Sequence, residues 1–281
     1  MERLLMTALS CVVVWYNPSE KELKNIESYY GHLERIYIID NSDNNNSELI
    51  DSIDLSKRKI KYFPNYSNLG IASALNKGCI SAIEDGFKWI LTMDQDSTFL
   101  EHEIRRFINE FEIKIQEHKD IAIIAPRTSD VQFHGFVDKV ITSGNIVNLH
   151  AYQLVGGYDD ELFIDEVDHD FCFKLLEAKY KIFVLSDVRM VHSLGNSKIH
   201  NFIFNYKFHV MHHSPARKYY IIRNRLIVRK RYPLYTRRYM KDNIHLLISI
   251  ILFEKNKIDK IINCVKGYLD YKKHRLGKFK G

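Results

Sequence analysis

Short apolar runs alternate with longer amphipathic stretches over the first 130 residues of the chain. The amphipathic stretches predict helices, one of which begins after the N-cap residue Ser19 with Glu20 and Glu22 in its first turn. Strand–helix alternation at this spacing predicts an α/β fold with a doubly wound, mostly parallel, Rossmann-like sheet. The apolar runs predict strands near residues 8–15, 35–40, 59–63, 88–93 and 121–125.

Polar residues directly follow three of these predicted strands: Tyr16-Asn17, Asp40 and Asp94-Gln95-Asp96. Ligands of doubly wound sheets bind beyond the carboxyl ends of the strands, so we expect the three ends to face one crevice. Asp94 and Asp96 can share a divalent cation whose remaining positions go to phosphate oxygens and water. A D-x-D pattern alone is weak, and a solvated turn is the structural alternative.

A second group of carboxylates lies at residues 165–170 (D-E-V-D-H-D), where the sequence predicts a helix over 166–178. Acids in a first helical turn complement the helix dipole, which is the structural explanation. Acids this close together also repel one another, so at least one is expected to have a raised pKa or a cationic partner. A carboxylate held in this way can act as a general base.

Charge is distributed unevenly along the chain, whose net charge is +6. Residues 217–281 hold 19 Lys/Arg and 4 Asp/Glu, whereas the preceding 216 residues hold 22 and 31. A basic tail can bind nucleic acid, an anionic membrane or an acidic ligand, and no nucleic-acid motif accompanies this one. The apolar sides of Ile244–Phe253 and Ile258–Leu269, with lysines nearby, predict peripheral membrane contact; packing on the catalytic domain is the alternative.

The composition indicates a folded chain with reduced thiols. The 17 Tyr and 16 Phe residues supply ample core, which excludes disorder over most of the length. The 4 cysteines lie far apart, which excludes a cysteine zinc site and a disulfide scaffold and suits a reducing cytoplasm. No apolar run is long enough for a membrane span, so we expect a soluble or peripheral protein. Four histidines, at 200, 209, 212 and 213, show no metal-binding pattern.

Ordered motifs over residues 8–230 resemble those of glycosyltransferase family 2. In the first half these are C-V-V-V-W-Y-N-P (11–18), D-N-S (40–42), N-L-G-I-A-S-A-L-N-K-G (68–78) and W-I-L-T-M-D-Q-D-S (89–97). The second half resembles the bacterial rhamnosyltransferase branch, through S-G (143–144), G-Y-D (157–159), L-F-I-D-E-V-D-H-D-F-C (162–172), V-H-S-L-G (191–195) and R-K-Y-Y-I-I-R-N (217–224).

The resemblance implies a GT-A fold, a nucleotide-sugar donor, a divalent cation (Mg²⁺ or Mn²⁺) and inversion at the anomeric carbon. It implies that Asp96 ligates the metal, with His192 as a further metal or diphosphate contact, and that Asp168 is the catalytic base. Tyr16 would stack on the pyrimidine and Asp40 would accept its N3–H. The implied nucleotide-binding residues are Tyr16, Asn17, Asp40, Asn68, Gly70, Asn76 and Asp94, the last near the ribose.

A set of residues beyond the acid cluster is expected to contact the acceptor or phosphate. Helical spacing places four of them on one face, for which a purely structural role is the alternative. Two positions depart from the family pattern: Val167 stands where Glu is frequent, and Lys174 stands where Arg is usual, so a bidentate contact is lost there. The expected acceptor or phosphate contacts are Asp170, Arg217, Tyr220, Arg223 and Asn224.

We therefore expect an inverting, metal-dependent glycosyltransferase that moves rhamnose from dTDP-rhamnose onto a lipid-linked oligosaccharide. The product would be a bacterial surface polysaccharide, O-antigen or capsule, made on the cytoplasmic face of the cell membrane. UDP-sugar-dependent galactofuranosyl, glucosyl or galactosyl transfer is the alternative within the family. A sugar nucleotidyltransferase would need a Gly-rich N-terminal loop instead of W-Y-N-P, and a catalytically dead glycan-binding subunit would not need Asp96 and Asp168.

The same reasoning predicts two regions along the chain. Residues 1–216 form the GT-A catalytic domain, with a nucleotide-sugar half (1–130) and an acceptor half (131–216). Residues 217–281 form a basic helical region.

Overall fold

A computed structural model describes residues 7–51, 57–128, 133–192, 198–201 and 207–281. The chain divides into two compact units. The sheet unit comprises Met1–Asp159 and Phe171–Ser193, and the helical unit comprises Asp160–Asp170 and Leu194–Gly281. The sequence predicts a boundary after residue 216. The observed division differs from it, because the helical unit also includes residues 160–170 and begins again at residue 194.

The sheet unit contains the strands and helices that the apolar pattern predicts, together with short strands that it does not. Helix α6 (Val167–Glu177) contributes to both units: its first four residues belong to the helical unit and the rest to the sheet unit. The strands are β1 (Leu9–Trp15), β2 (Arg35–Asp40), β3 (Ile60–Pro64), β4 (Trp89–Asp94), β5 (Ser97–Phe99), β6 (Ile121–Arg127), β7 (Gly135–Val137), β8 (Asn145–Asn148) and β9 (Lys181–His192). The helices are α1 (Glu20–Tyr30), α2 (Ser47–Asp51), α3 (Ile71–Glu84), α4 (Glu101–Glu117), α5 (Leu149–Leu154) and α6 (Val167–Glu177).

The central sheet has the strand order β3-β2-β1-β4-β8-β6-β9-β5, with β7 paired to β9. Strands β3, β2, β1 and β4 run parallel to one another, and β6 runs parallel to β9. Strand β8 runs antiparallel between β4 and β6, and β5 and β7 run antiparallel to β9. The α/β fold class is confirmed, and the parallel part of the sheet carries the strand ends singled out by the sequence.

Helices cover both faces of the parallel strands. One face of β1, including Cys11 and Val13, belongs to an apolar cluster with residues of α1 and α4. The opposite face packs on α3 so closely that a Cβ on Gly78 would lie 2.2 Å from Val12 Cγ2, which requires glycine at residue 78. Helix α1 begins directly after the N-cap residue Ser19, as predicted, and Glu22 completes a capping box with Ser19.

The described residues of the helical unit include helices α7 (Pro215–Arg231), α8 (Tyr239–Phe253) and α9 (Lys257–Lys272). They also include strands β10 (Lys198–Asn201) and β11 (Lys207–Val210), which pair antiparallel. Apolar contacts among Ile222, Ile250 and Cys264 join the three helices. Helices α7 and α9 approach closely at Gly267, where a Cβ would lie 2.5 Å from the Tyr219 carbonyl oxygen.

A buried ionic cluster links the same three helices. Glu254, which follows α8, accepts hydrogen bonds from Lys218 Nζ at 2.7 Å and Lys260 Nζ at 2.6 Å. All three residues are buried. Burial acts to raise the pKa of Glu254, but the hydrogen bonds and charges of the two lysines outweigh it and lower the pKa overall. The two lysines therefore favour the charged form of Glu254 inside the unit.

Over the described part of the chain, no helix has both the length and the apolar character required to cross a membrane.

Candidate active site

The end of β1 is fixed to the end of β4 by a side-chain amide. The backbone N–H of Tyr16 donates to Gln95 Oε1 at 2.7 Å, and Gln95 Nε2 donates to the Tyr16 carbonyl oxygen at 3.2 Å. The Tyr16 side chain is 49% exposed, so its ring is open to a stacking partner. Asn17 has a left-handed backbone (φ 47°), and its N–H donates to Ser42 Oγ at 2.7 Å.

Asp40, at the end of β2, is fully buried, and its carboxylate accepts four hydrogen bonds. Its Oδ1 accepts the Ser42 N–H at 2.9 Å and the Ser42 hydroxyl at 2.5 Å. Its Oδ2 accepts Asn46 Nδ2 and the Tyr62 hydroxyl, both at 2.7 Å. A carboxylate offers about four acceptor positions, and four protein donors already occupy these. In this arrangement Asp40 orders the loop that holds Asn17, and its predicted contact with the base stays a prediction.

The loop before α3 is held by amide side chains. Asn68 Oδ1 accepts the N–H of Gly70 at 2.9 Å, and Asn41 Nδ2 donates to the Gly70 carbonyl oxygen at 2.9 Å. Gly70 has φ 91° and precedes the first residue of α3, so this turn favours glycine. Asn68 and Gly70 thus shape the loop beside the β2 end.

Asn76 holds a turn within the sheet unit. Its Oδ1 accepts the Tyr152 hydroxyl at 2.8 Å and the Tyr158 N–H at 3.0 Å, while its Nδ2 donates to the Tyr158 carbonyl oxygen at 2.9 Å. Lys174 Nζ donates to the Gly157 carbonyl oxygen at 2.9 Å, a single hydrogen bond from the position where the family usually has Arg. These contacts support a structural role for Asn76 in this turn, and its expected contact with the nucleotide stays a prediction.

Asp94 and Asp96 flank the turn between β4 and β5, and both are partly exposed. The Asp94 N–H donates to Ser143 Oγ at 3.0 Å, and that hydroxyl donates to Ser97 Oγ at 2.7 Å, which fixes the base of the turn. Carboxylate oxygens suit Mg²⁺ and Mn²⁺. The described residues contain no group of three His, Cys, Asp or Glu that could hold a metal. The oxygen ligands of the pair suit a divalent cation by their chemistry, and their metal role stays a prediction.

His192 ends β9, where its backbone pairs with Ser97. The side chain of His192, for which the sequence predicts a metal contact, lies outside the described residues, as do those of His200 and His209. The same holds for residues 193–195 of the V-H-S-L-G motif.

Three arginines of α7 neutralise three of the acids at 165–170. Arg217 binds Asp165 through Nε and Nη2, both within 3.1 Å of Oδ1. Arg225 Nε donates to Glu166 Oε1 at 3.2 Å. A third pair joins Arg231 Nη1 to Oδ1 of the fully buried Asp170 at 2.8 Å. The cationic partners expected from the charge density of this segment are confirmed.

Glu166 has two further partners. His169 Nδ1 lies 2.9 Å from Glu166 Oε2, and the Tyr239 hydroxyl donates to the same oxygen. Burial alone would raise the pKa of Glu166, but its bonds to His169 and Tyr239 and the charges of His169 and Arg225 lower the pKa to about 2. At Asp165, by contrast, burial raises the pKa although Arg217 opposes the rise.

Asp168 differs from the other acids of this segment. It is partly exposed, and the His169 N–H donates to its Oδ1 at 2.9 Å. Within the described ranges, no lysine or arginine forms an ion pair with it. A carboxylate that solvent reaches and that forms no ion pair with a lysine or arginine is placed to accept a proton. The geometry therefore separates Asp168 from Asp165, Glu166 and Asp170.

The backbone of this acid loop is unusual. Phe163, Asp165 and Glu166 all have positive φ, near 65°, a conformation that costs a non-glycine residue about 1–3 kcal/mol. The Asn224 side chain compensates by donating to the carbonyl oxygens of Leu162, Ile164 and Asp165 at 2.7–2.9 Å.

Arg223 also binds backbone carbonyl oxygens at this loop. It donates to the carbonyl oxygens of Glu161, Leu162 and Gly277 at 2.7–3.1 Å. The side chains of Arg223 and Asn224 are fully buried.

These contacts bear on the expected acceptor or phosphate contacts, which stay predictions. Arg223, Asn224 and Asp170 are buried, and each binds partners within the helical unit, which supports a structural role in holding the acid loop. The Tyr220 ring stacks on Phe163 with centroids 5.1 Å apart, and its hydroxyl accepts the Phe279 N–H. Arg217 alone of the group keeps a substantially exposed side chain. The contacts of Tyr220, Arg223 and Asn224 support the structural alternative for this helix face.

Several residues of the site carry no sequence signal. Gln95 lies between the two aspartates, and the sequence gives no reason to assign it a role, yet its side chain binds the backbone of Tyr16. Arg225, Arg231 and Tyr239 find their partners roughly sixty to seventy residues earlier in the chain. Only the excess of basic residues after residue 216 hinted at such pairs.

Comparisons with known proteins concern the family and the fold of the chain. Residues 10–135 match the profile described as Glycosyl transferase family 2. Over 96% of its length, the chain is 28% identical to the dTDP-rhamnosyl transferase RfbF of Shigella flexneri, of which it covers 94%.

Solved structures share the fold. TarS of S. aureus (residues 1–349) in complex with UDP-GlcNAc has a TM-score of 0.58 at 14% identity, over 96% of this chain and 82% of that one. GalNAc-T7 with UDP, GalNAc and Mn²⁺ has a TM-score of 0.57 at 12% identity, over 88% of this chain and 58% of that one. At these identities the likeness concerns the GT-A fold alone. The chain is thus a glycosyltransferase of GT-A fold with a family 2 domain at residues 10–135, and its resemblance to bacterial rhamnosyltransferases is confirmed.

Proposed function

We propose that the protein is an inverting glycosyltransferase that moves rhamnose from dTDP-rhamnose to a lipid-linked oligosaccharide in bacterial surface polysaccharide synthesis, O-antigen or capsule. The donor assignment is supported by similarity along almost the whole chain to a dTDP-rhamnosyl transferase. A lipid-linked acceptor would bring the enzyme to the inner face of the cell membrane.

The observation that carries the chemistry is the isolation of Asp168 from the arginines that neutralise its neighbours. In the proposed reaction, Asp168 removes the proton from the attacking acceptor hydroxyl. The hydroxyl oxygen forms a bond to the anomeric carbon while the bond from that carbon to the nucleoside diphosphate breaks on the opposite face. One displacement of this kind inverts the anomeric configuration.

On the donor side, Tyr16 would stack on the pyrimidine, and its exposed ring supports that role. Asp94 and Asp96 would hold Mg²⁺ or Mn²⁺, with Asp94 also near the ribose and His192 as a further contact. When bound, such a cation stabilises the negative charge that develops on the leaving diphosphate. Gln95 keeps Tyr16 in register with the aspartates.

The proposal is tested by incubating the protein and Mn²⁺ with dTDP-rhamnose, UDP-galactofuranose, UDP-galactose or UDP-glucose. Release of nucleoside diphosphate in the absence of an acceptor is the readout, with thermal stabilisation measured in parallel. We expect dTDP-rhamnose to give both signals. Turnover of a UDP-sugar alone would reassign the donor, and the absence of hydrolysis and stabilisation with every donor would indicate a subunit without catalytic activity.

A further inference from the structure

Helices α8 and α9 each carry an exposed apolar stripe at helical spacing. The spacing in each helix keeps its stripe within about a third of the circumference. The buried residues of α8 and α9, such as Ile250 and Cys264, pack on α7 from other sides of the helices. The stripes consist of Met240, Ile244, Ile248, Ile251 and Leu252 on α8 and Ile258, Ile262, Val265, Tyr268 and Leu269 on α9, all substantially exposed. We call these ten residues the α8–α9 surface.

Basic residues surround the α8–α9 surface. Of the 4 acids in the fully described segment Tyr239–Gly281, only Asp259 is exposed, because Glu254 is buried with its lysines and Asp242 and Asp270 are partly buried. The exposed lysines include Lys255 and Lys257, which flank the turn between the helices. Exposed lysines of the segment also include Lys241, Lys266, Lys272 and Lys273.

We propose that the α8–α9 surface docks on an anionic lipid bilayer, with its apolar stripes inserted among the acyl chains at the interface. A basic rim around an apolar helix face matches the negative surface of such a bilayer. A second copy of the chain fits less well, since a two-fold contact would bring the same lysines together across the interface. Docking would involve residues 240–273 only and would not depend on the donor or the reaction.

The test uses the full chain in co-sedimentation with vesicles of phosphatidylcholine, with or without about 30 mol% phosphatidylglycerol. We expect binding to the anionic vesicles that weakens at least tenfold in about 0.5 M NaCl, because salt screens the lysine charges. Lys255→Gln combined with Lys257→Gln should weaken binding to anionic vesicles about tenfold.

The apolar stripes are tested by Ile244→Glu combined with Ile258→Glu, whose side chains are 55% and 76% exposed and whose loss should not disturb the core. We expect partitioning onto anionic vesicles to fall more than tenfold. The matched control combines Leu100→Glu and Leu154→Glu in the sheet unit, which are 55% and 63% exposed; it should change partitioning less than about twofold. Circular dichroism melting confirms that each variant is folded.

Three results would overturn the proposal: no binding of the wild-type chain to anionic vesicles, unchanged binding by the isoleucine variant, or an equal loss in the leucine control. A dimer that the isoleucine variant converts to monomer, without vesicle binding, would assign the surface to a second copy instead. Donor hydrolysis without vesicles is measured on the same samples and should be equal in wild type and the isoleucine variant. Hydrolysis that is absent while vesicle binding persists would count against the proposed function alone.

Discussion

The side-chain amide of Asn224 donates a hydrogen bond to the backbone carbonyl oxygen of Asp165 at 2.9 Å. Asp165 has a left-handed backbone and lies three residues before Asp168. Helix α7 therefore fixes the conformation of the loop that presents the proposed base, through the buried side chain of Asn224.

Asn224→Asp should reduce turnover while leaving donor affinity unchanged. The substitution keeps the shape but replaces an amide donor with a charged acceptor facing three carbonyl oxygens. We expect kcat to fall about 100-fold through misplacement of the acid loop, with KM for the donor nearly constant. Steady-state kinetics give the two values. Asn263→Asp on α9 is the control, and an equal fall in kcat and rise in KM would argue for general loss of structure.

Asp168→Asn should abolish transfer but not donor binding. Without a base, we expect kcat to fall by about 10²–10⁴-fold, whereas thermal stabilisation by dTDP-rhamnose stays as in the wild type. Asp160→Asn, at an exposed acid eight residues away, should transfer normally. Wild-type turnover by the Asp168 variant would remove that residue from the role of base.

Removal of divalent cations should stop the reaction. We expect EDTA to abolish transfer, and excess Mn²⁺ or Mg²⁺ to restore it, because the leaving diphosphate needs a compensating charge. Asp96→Asn should raise the metal concentration needed for half-maximal activity, while the exposed Asp43→Asn should not. Full activity in EDTA would exclude the metal role of the aspartate pair.

Glu254→Gln should destabilise the helical unit strongly. It leaves the charges of Lys218 and Lys260 buried without compensation, which costs about 3–5 kcal/mol in comparable sites. Replacing the whole cluster with Lys218→Met, Glu254→Leu and Lys260→Met should cost far less, because no charge stays buried. Urea denaturation provides the free energies of unfolding, with the exposed Glu48→Gln as the control. Equal losses in the single and triple variants would contradict this account.

Glu166 should contribute a pH-dependent part of the stability. Its pKa is about 2 in the folded chain, below the ordinary value of 4.5, so its contribution is present above pH 4.5 and is lost as the pH falls toward 2. We expect this residue to account for a loss on the order of 2 kcal/mol between pH 7 and pH 3. Urea denaturation at several pH values should show a smaller dependence for Glu166→Gln; identical curves would refute the assignment.

The parallel half of the fold could be predicted from the sequence because its strands are mostly apolar runs bounded by polar residues, as at Leu9–Trp15. Strands β5, β7 and β8 have three or four residues, too few to establish an alternation. Their pairing depends on neighbours far along the chain, such as β9 for β5. Local pattern carries no information about such partners.

The candidate site was predictable as a set of residues but not as a set of roles. Asp168 and the aspartates at the β4 end stand out by motif and position. Arg223 and Asn224 share a helix face with Arg217, as spacing predicts, yet their partners are carbonyl oxygens roughly sixty residues away. A buried polar side chain and a ligand-binding one look alike in sequence, because both are polar residues at a regular spacing. Only the hydrogen bonds distinguish them.

The four hydrogen bonds that the Asp40 carboxylate already accepts bear on its predicted contact with the nucleobase. A pyrimidine imide that bonds to Asp40 must take the place of Ser42, Asn46 or Tyr62, so recognition would proceed by exchange of partners and not by entry into an empty pocket. The displaced donor would then need a new acceptor, and the ease of finding one would set how strictly the enzyme discriminates between bases. Tyr62, whose hydroxyl also accepts the Asn46 N–H, would be the residue whose environment reports that exchange.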